Sequence, residues 1–165
     1  MIRRSFPRFF RDDFPIFFGT HIRHPLKYGS QIVHSGLVRD REILERVQRA
    51  STEAVRSLSH LPYPVRLSLL NLYPLDVRRV RGDLFLMFHL FETGQSDCFF
   101  SICPASSLRG HSRKVFKPRP RTSLRINFFS YRVITMWNAL AGDIVLSQNK
   151  TIFKKKLDLC LVFSQ

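Results

Sequence analysis

Ile43, Leu44, Val47, Ala50, Ala54, Val55 and Leu58 recur at spacings of three and four residues, a pattern that a period of 3.6 gathers onto one face of a helix. The spacing predicts a helix from about Asp40 to Leu58, with Asp40 capping its first turn. Glu42 with Arg46 and Glu45 with Arg49 stand four apart in the favoured order, each pair contributing about 0.2–0.5 kcal/mol. A helix with one apolar face needs something to pack against, so this stretch commits the chain to a helical core.

The same period recurs on both sides. Val65, Leu67 and Leu70 follow Pro62 and stop before Pro74, and Val77, Val80, Leu84, Met87, Phe88 and Phe91 continue the pattern to about Glu92. Pro74 suits the first turn of that helix, and Arg78, Arg79 and Arg81 are expected on its opposite side. Gly82 inside it fits a close helix crossing or a tolerated glycine. Ile126, Phe129, Val133, Trp137 and Leu140 mark a further helix ended by Gly142, and Ile152, Phe153, Leu157 and Cys160 one face of a last helix from about Thr151 to Val162. The aromatic-rich stretch from Phe14 to Val33 reads as partly helical. The expected fold class is mainly α.

Between Thr93 and Leu124 the helical period is lost and Pro104, Pro118 and Pro120 appear. This segment is expected to be an extended loop with one short strand near Val115 and Phe116. It also holds the chain's strongest charge feature. Between Asp97 and Asp143 there are eight Lys or Arg residues and no acidic residue. Seven of the eight, Arg109, Arg113, Lys114, Lys117, Arg119, Arg121 and Arg125, form a basic ribbon. Such a row suits a phosphate backbone: it would release condensed counterions and bind in a largely sequence-independent, salt-dependent way. A solvated basic loop is the plain alternative.

The 165 residues carry 27 Lys plus Arg against 12 Asp plus Glu, a net charge of +15, and 44% hydrophobic residues including 16 Phe. That apolar content supplies a core and excludes a disordered basic tail. The charge points to RNA, DNA or an anionic membrane surface as partner. Cys98, Cys103 and Cys160 are odd in number and have no framework spacing, which favours a reducing, intracellular setting over secretion. The longest apolar run, Leu84 to Phe91, is interrupted by His89 and falls far short of the ~20 residues of a membrane span. Arg8, Arg11, Asp12 and Asp13 break up any apolar region near the N-terminus, so no signal peptide is expected.

Several short blocks, taken in order, resemble the C-terminal part of the reverse transcriptase of non-LTR, LINE-type retrotransposons of the jockey-like group. They are Phe18-Gly19-Thr20-His21-Ile22-Arg23 with Leu26-Lys27-Tyr28-Gly29, Leu44-Glu45-Arg46-Val47-Gln48-Arg49-Ala50-Ser51-Thr52, Leu61-Pro62-Tyr63 with Arg66-Leu67, and Arg78-Arg79 with Arg81-Gly82-Asp83-Leu84. Arg109-Gly110-His111-Ser112, Phe128-Phe129-Ser130 with Arg132-Val133, Trp137-Asn138-Ala139-Leu140, and Phe153-Lys154 with Leu157-Asp158 complete the series, which covers roughly residues 2 to 160. The chain departs from the family at His24, which separates Arg23 from Pro25, at Lys27 in place of Glu, at Ala50 in place of a second Arg, and at Ala141 in place of Pro. The resemblance implies a thumb-like helical region over 1–97, a basic extended linker over 98–125 and a C-terminal helical pair over 126–165.

In that family the palm polymerises with metal-binding carboxylates, and two-metal chemistry needs several carboxylates converging on ions about 3.5–4 Å apart. Phe10-Arg11-Asp12-Asp13 is a decoy for the palm motif: Arg11 is bulky where the family has a small residue, and the two acids fit the start of a helix near Phe14 and Pro15. No catalytic residue is assigned. Cys98 and Cys103 with His89 and His111 fit no established zinc spacing, so neither metal nor cofactor is expected. Trp137, Phe128 and Phe129 are expected in the core, with base stacking the alternative.

The resemblance thus implies a non-catalytic fragment that contributes to holding RNA or an RNA/DNA duplex, with the palm domain of the parent polyprotein as a further partner. If all seven ribbon cations met single-stranded phosphates, log K would fall with log[salt] at a slope of about −5. The alternatives are a basic helical module for a protein or membrane surface, and a translated retroelement remnant without a selected role.

Overall fold

In the computed structural model, residues 10–28, 36–103 and 110–163 are described, and they form a mainly α fold. The helices are α1 (Phe14–Phe17), α2 (Arg23–Lys27), α3 (Val38–Glu53), α4 (Tyr63–Leu69), α5 (Leu75–Glu92), α6 (Ser123–Ile126), α7 (Phe129–Ala139), α8 (Gly142–Val145) and α9 (Lys150–Phe163). A π-helical turn (Phe18–Ile22) joins α1 to α2, and a 3₁₀ turn (Ser96–Cys98) follows α5. The chain divides into two compact units, with the division falling between Arg78 and Arg79, inside α5.

The first unit begins with a stripe of Phe14, Phe18, Ile22 and Leu26, all buried. A repeat of four overshoots a turn of 3.6 residues, and the wider winding of the π turn restores the register. Asp13 stands at the N-cap of α1 as expected, but its carboxylate makes no capping bond. Arg11 in the decoy motif donates to the Leu69 carbonyl at 2.7 Å, and the Arg56 guanidinium lies over the Phe10 ring.

The apolar period of α3 is kept in part, since Leu44 and Ala54 pack against a core that includes Val55 and Leu58, but the buried face is rotated. Ile43 and Val47 are exposed, whereas Gln48 and Thr52 are fully buried. Part of this polar face is bonded within the fold, and Gln48 Oε1 is buried without a partner. Gln48 Nε2 donates to the Tyr63 hydroxyl at 3.1 Å and to the Tyr73 carbonyl at 3.0 Å. The Tyr63 hydroxyl in turn donates to Glu45, whose other oxygen accepts the Leu75 N–H at 2.9 Å and so satisfies the first turn of α5 from outside. Burial first, and then the bond to Glu45, raise the Tyr63 pKa and keep the phenol protonated. Glu45 is thus engaged away from Arg49, which stacks on the Tyr63 ring instead. Asp40 lies within the first turn, and the N-cap is Leu37.

Arg78, expected on an outer face, is buried in this unit. Its guanidinium lies 5.7 Å from the Phe18 ring centroid and donates to the Tyr73 carbonyl. Long cationic side chains bury their stems and keep their heads bonded, so a helical wheel misplaces them.

The second unit packs the rest of α5 with α7, α8 and α9 around Met87, Phe88, Trp137, Val145, Phe153 and Leu157. Phe88 stacks on Phe153 at 4.2 Å between centroids, and Phe91 on Trp137 at 5.2 Å. Two ion pairs bind the helices together. Arg132 on α7 grips Asp83 on α5 through two bonds of 2.8 and 2.9 Å, and Arg81 on α5 grips Asp158 on α9 the same way. Arg81 is thereby another cation turned inward rather than outward.

Gly142 opens α8 instead of ending the preceding helix, which stops where Leu140 turns extended. Ile126, read as part of that helix's apolar face, is exposed in the separate short α6. The expected strand near Val115 reduces to one antiparallel bridge, Ile102 with Val115, flanked by Cys103 N–H to Lys114 carbonyl at 2.9 Å and Phe116 N–H to Ser101 carbonyl at 2.8 Å.

Candidate nucleic-acid interface

The basic stretch is extended, but it is not a detached linker. Phe100, His111 and Val115 are buried in the second unit, and two consecutive residues of α7 hold the segment in place. The Trp137 indole N–H donates to the Arg113 carbonyl at 2.8 Å, and the Trp137 carbonyl accepts from His111 Nε2 at 3.1 Å. Asn138 grips the Val115 backbone from both sides, accepting its N–H at 3.0 Å and donating to its carbonyl at 2.8 Å. An amide side chain carries one acceptor and two donors and can substitute for a neighbouring strand. Sequence reasoning missed this clamp. The adjacent Trp and Asn were its only signal, and nothing local names their partners.

With the anchors fixed, the cations separate into two groups. Arg109 lies outside the described residues. Arg113 is engaged within the fold, pairing with Glu92 at 3.5 Å and lying over the Phe91 ring. Lys114 is half-buried and folds back over Gly110. A Cβ at Gly110 would meet Lys114 Cε at 2.8 Å, and its φ of +114° favours glycine in any case.

The remaining four, Lys117, Arg119, Arg121 and Arg125, are exposed. Lys117 donates to the Thr135 hydroxyl at 2.7 Å, which leaves two ammonium hydrogens for another acceptor. Arg125 lies 5.4 Å over the Tyr131 ring. Half-buried Pro118 and Pro120 flank Arg119, and their fixed φ limits how far this backbone can rearrange.

The aromatic residues also separate. Trp137 is fully buried, in line with a core role, whereas Phe128 at the N-cap of α7 is 59% exposed. Phe116, beyond the bridge, is equally exposed. Among the described residues no group of three or more His, Cys, Asp or Glu side chains is placed to hold a metal ion.

His111 links the clamp to pH. Burial, with the nearby Lys114 charge adding to it, pushes its pKa below the ordinary 6.5, and the bond to the Trp137 carbonyl offsets this only in part. Because Nε2 donates to that carbonyl, the neutral ring leaves Nδ1 unprotonated, and Nδ1 is buried without a partner. The unfolded chain therefore binds the proton more readily than the folded one, and stability falls as pH drops from about 6.5 toward the folded pKa. The expected result is a denaturation midpoint that declines below pH 6.5, with a His111→Leu variant lacking that part of the decline. Identical pH profiles for the two proteins would exclude the role assigned to His111.

No protein-family model, curated protein or solved structure matches this chain.

Proposed function

We propose that the chain is a nucleic-acid-binding element that holds a phosphate backbone through Lys117, Arg119, Arg121 and Arg125, and that it has no polymerase activity of its own. The observation that carries this reading is the pairing of four exposed cations with a segment free of acidic residues, pinned to a packed core at Phe100, His111 and Val115. A pinned row of cations meets spaced phosphates with little loss of backbone entropy. The block resemblance supports the finer reading of a template- and primer-holding part of a retrotransposon reverse transcriptase.

Four phosphate contacts on a single strand correspond to a slope of log K against log[salt] of about −3, shallower than seven would give. Replacing all four residues by Gln should abolish measurable oligonucleotide binding at physiological salt and leave the thermal melt unchanged. Wild-type binding with a slope near zero would refute the phosphate role.

A second reading has its own observation. Leu124, Ile126 and Phe128 are exposed beside the cations, a combination that also suits an anionic bilayer surface. No helix among the described residues is long and apolar enough to cross a membrane. Cosedimentation with anionic liposomes, without retention of oligonucleotide, would favour the surface-binding alternative.

A further inference from the structure

We infer that this face takes single-stranded rather than duplex nucleic acid, with unpaired bases stacking on Phe116 and Phe128 between the phosphate-binding cations. The inference rests on the phosphate reading above and names the form of the polyanion, a single strand in place of the duplex that the block resemblance implies. Both rings are 59% exposed, although the second unit has a packed aromatic core that takes up Phe88, Phe153 and Trp137 completely.

The placement of these rings follows from the fold. At the bridge, Val115 points into the core and is 1% exposed, so alternation along extended backbone sends the next residue, Phe116, outward. Phe128 adopts extended dihedrals at the N-cap of α7, with φ −63° and ψ 144°, and its ring is left outside the helix packing.

Lys117, Arg125 and Phe128 lie along one helix, α7, and Phe116 precedes Lys117 on the extended segment. Lys117, next to Phe116, reaches Thr135 on α7. Arg125 lies over Tyr131, on the same helix. Tyr131 and Thr135 are one turn apart on one side of α7, and Phe128 starts that side about 10 Å from Thr135 at ~1.5 Å per residue. Passing along that side, a strand would meet Lys117, then Tyr131 with Arg125, then Phe128, with Phe116 exposed on the adjoining extended segment.

The segments that build this face lie wholly between Asp97 and Asp143 and contain no acidic residue. Asp83 reaches α7 from α5, but it is buried and held by Arg132 through two bonds.

A paired base hides both its faces in the stack, so a duplex offers these rings nothing but its ends. A single strand offers every base face, and stacking on a protein aromatic is sequence-tolerant. Cations would hold duplex and single strand alike, and the exposed rings are what distinguishes the two.

The test is fluorescence anisotropy of the full chain with a labelled oligouridylate, an oligothymidylate and a blunt-ended duplex of equal length. The wild type is expected to favour both single strands over the duplex by at least about tenfold. A Phe116→Ala/Phe128→Ala variant should lose roughly a hundredfold for the single strands, about tenfold per ring, with duplex affinity and thermal melt unchanged.

Equal affinity for duplex and single strand, unaltered by the double variant, would overturn the stacking inference and leave the phosphate reading standing. Absence of binding to all three probes would overturn both.

Discussion

A Trp137→Ala variant should lose about 3–5 kcal/mol from the second unit, and its thermal melt should fall by at least about 15 °C. Trp137 is fully buried, stacks on Phe91 and approaches Phe153. Truncation leaves a cavity where the indole stood and strips the Arg113 carbonyl of its donor, at a further ~1–3 kcal/mol. Set against the ~5–15 kcal/mol that holds a whole domain together, this is most of the available stability. Trp137→Phe keeps the ring contacts and loses only the donor, so it should show a much smaller drop. Far-UV circular dichroism measures both variants, because the chain's single Trp is removed in each. A fall of less than about 5 °C for Trp137→Ala would show that the site collapses readily and that the indole is not central to the unit.

The second large effect is expected at Asp83. Its carboxylate is nearly inaccessible and takes two bonds from Arg132, which also donates to the Asn127 carbonyl at 2.7 Å. Asp83→Ala strands a largely buried guanidinium and should cost about 3–5 kcal/mol, whereas a double replacement such as Asp83→Leu/Arg132→Met should cost less than the single change because no charge is left unpaired. Trp137 fluorescence during chemical denaturation reads both, since that residue lies in the core of the same unit. A single-variant cost under about 1 kcal/mol would mean the pair behaves as a solvent-exposed one.

The two variants probe different parts of one design. Asp83 and Arg132 join α5 to α7, and Trp137 and Asn138 then join α7 to the basic segment. The cations at 117 to 125 are held on the core by a polar clamp whose bonds join residues at least 23 apart in sequence.

Helix positions were legible in the amino-acid order. Apolar period and proline or glycine punctuation act within a turn or two of the chain, so α4, α5 and α9 fall close to where Val65, Met87 and Phe153 led us to expect them. The amino-acid order also marked the acid-free basic stretch. Which face of a helix is buried and which cation is engaged inside the fold are different questions, answered by long-range packing.

Ile43 and Val47 are exposed while Gln48 and Thr52 are buried, and Tyr63 and Tyr73 arrive from other elements to accept from Gln48 Nε2. Arg113, Arg132 and Arg81 find their carboxylates 21, 49 and 77 residues away. No local period encodes such partnerships. Charge pairing and polar satisfaction depend on distances in space, which exist only after the chain has folded.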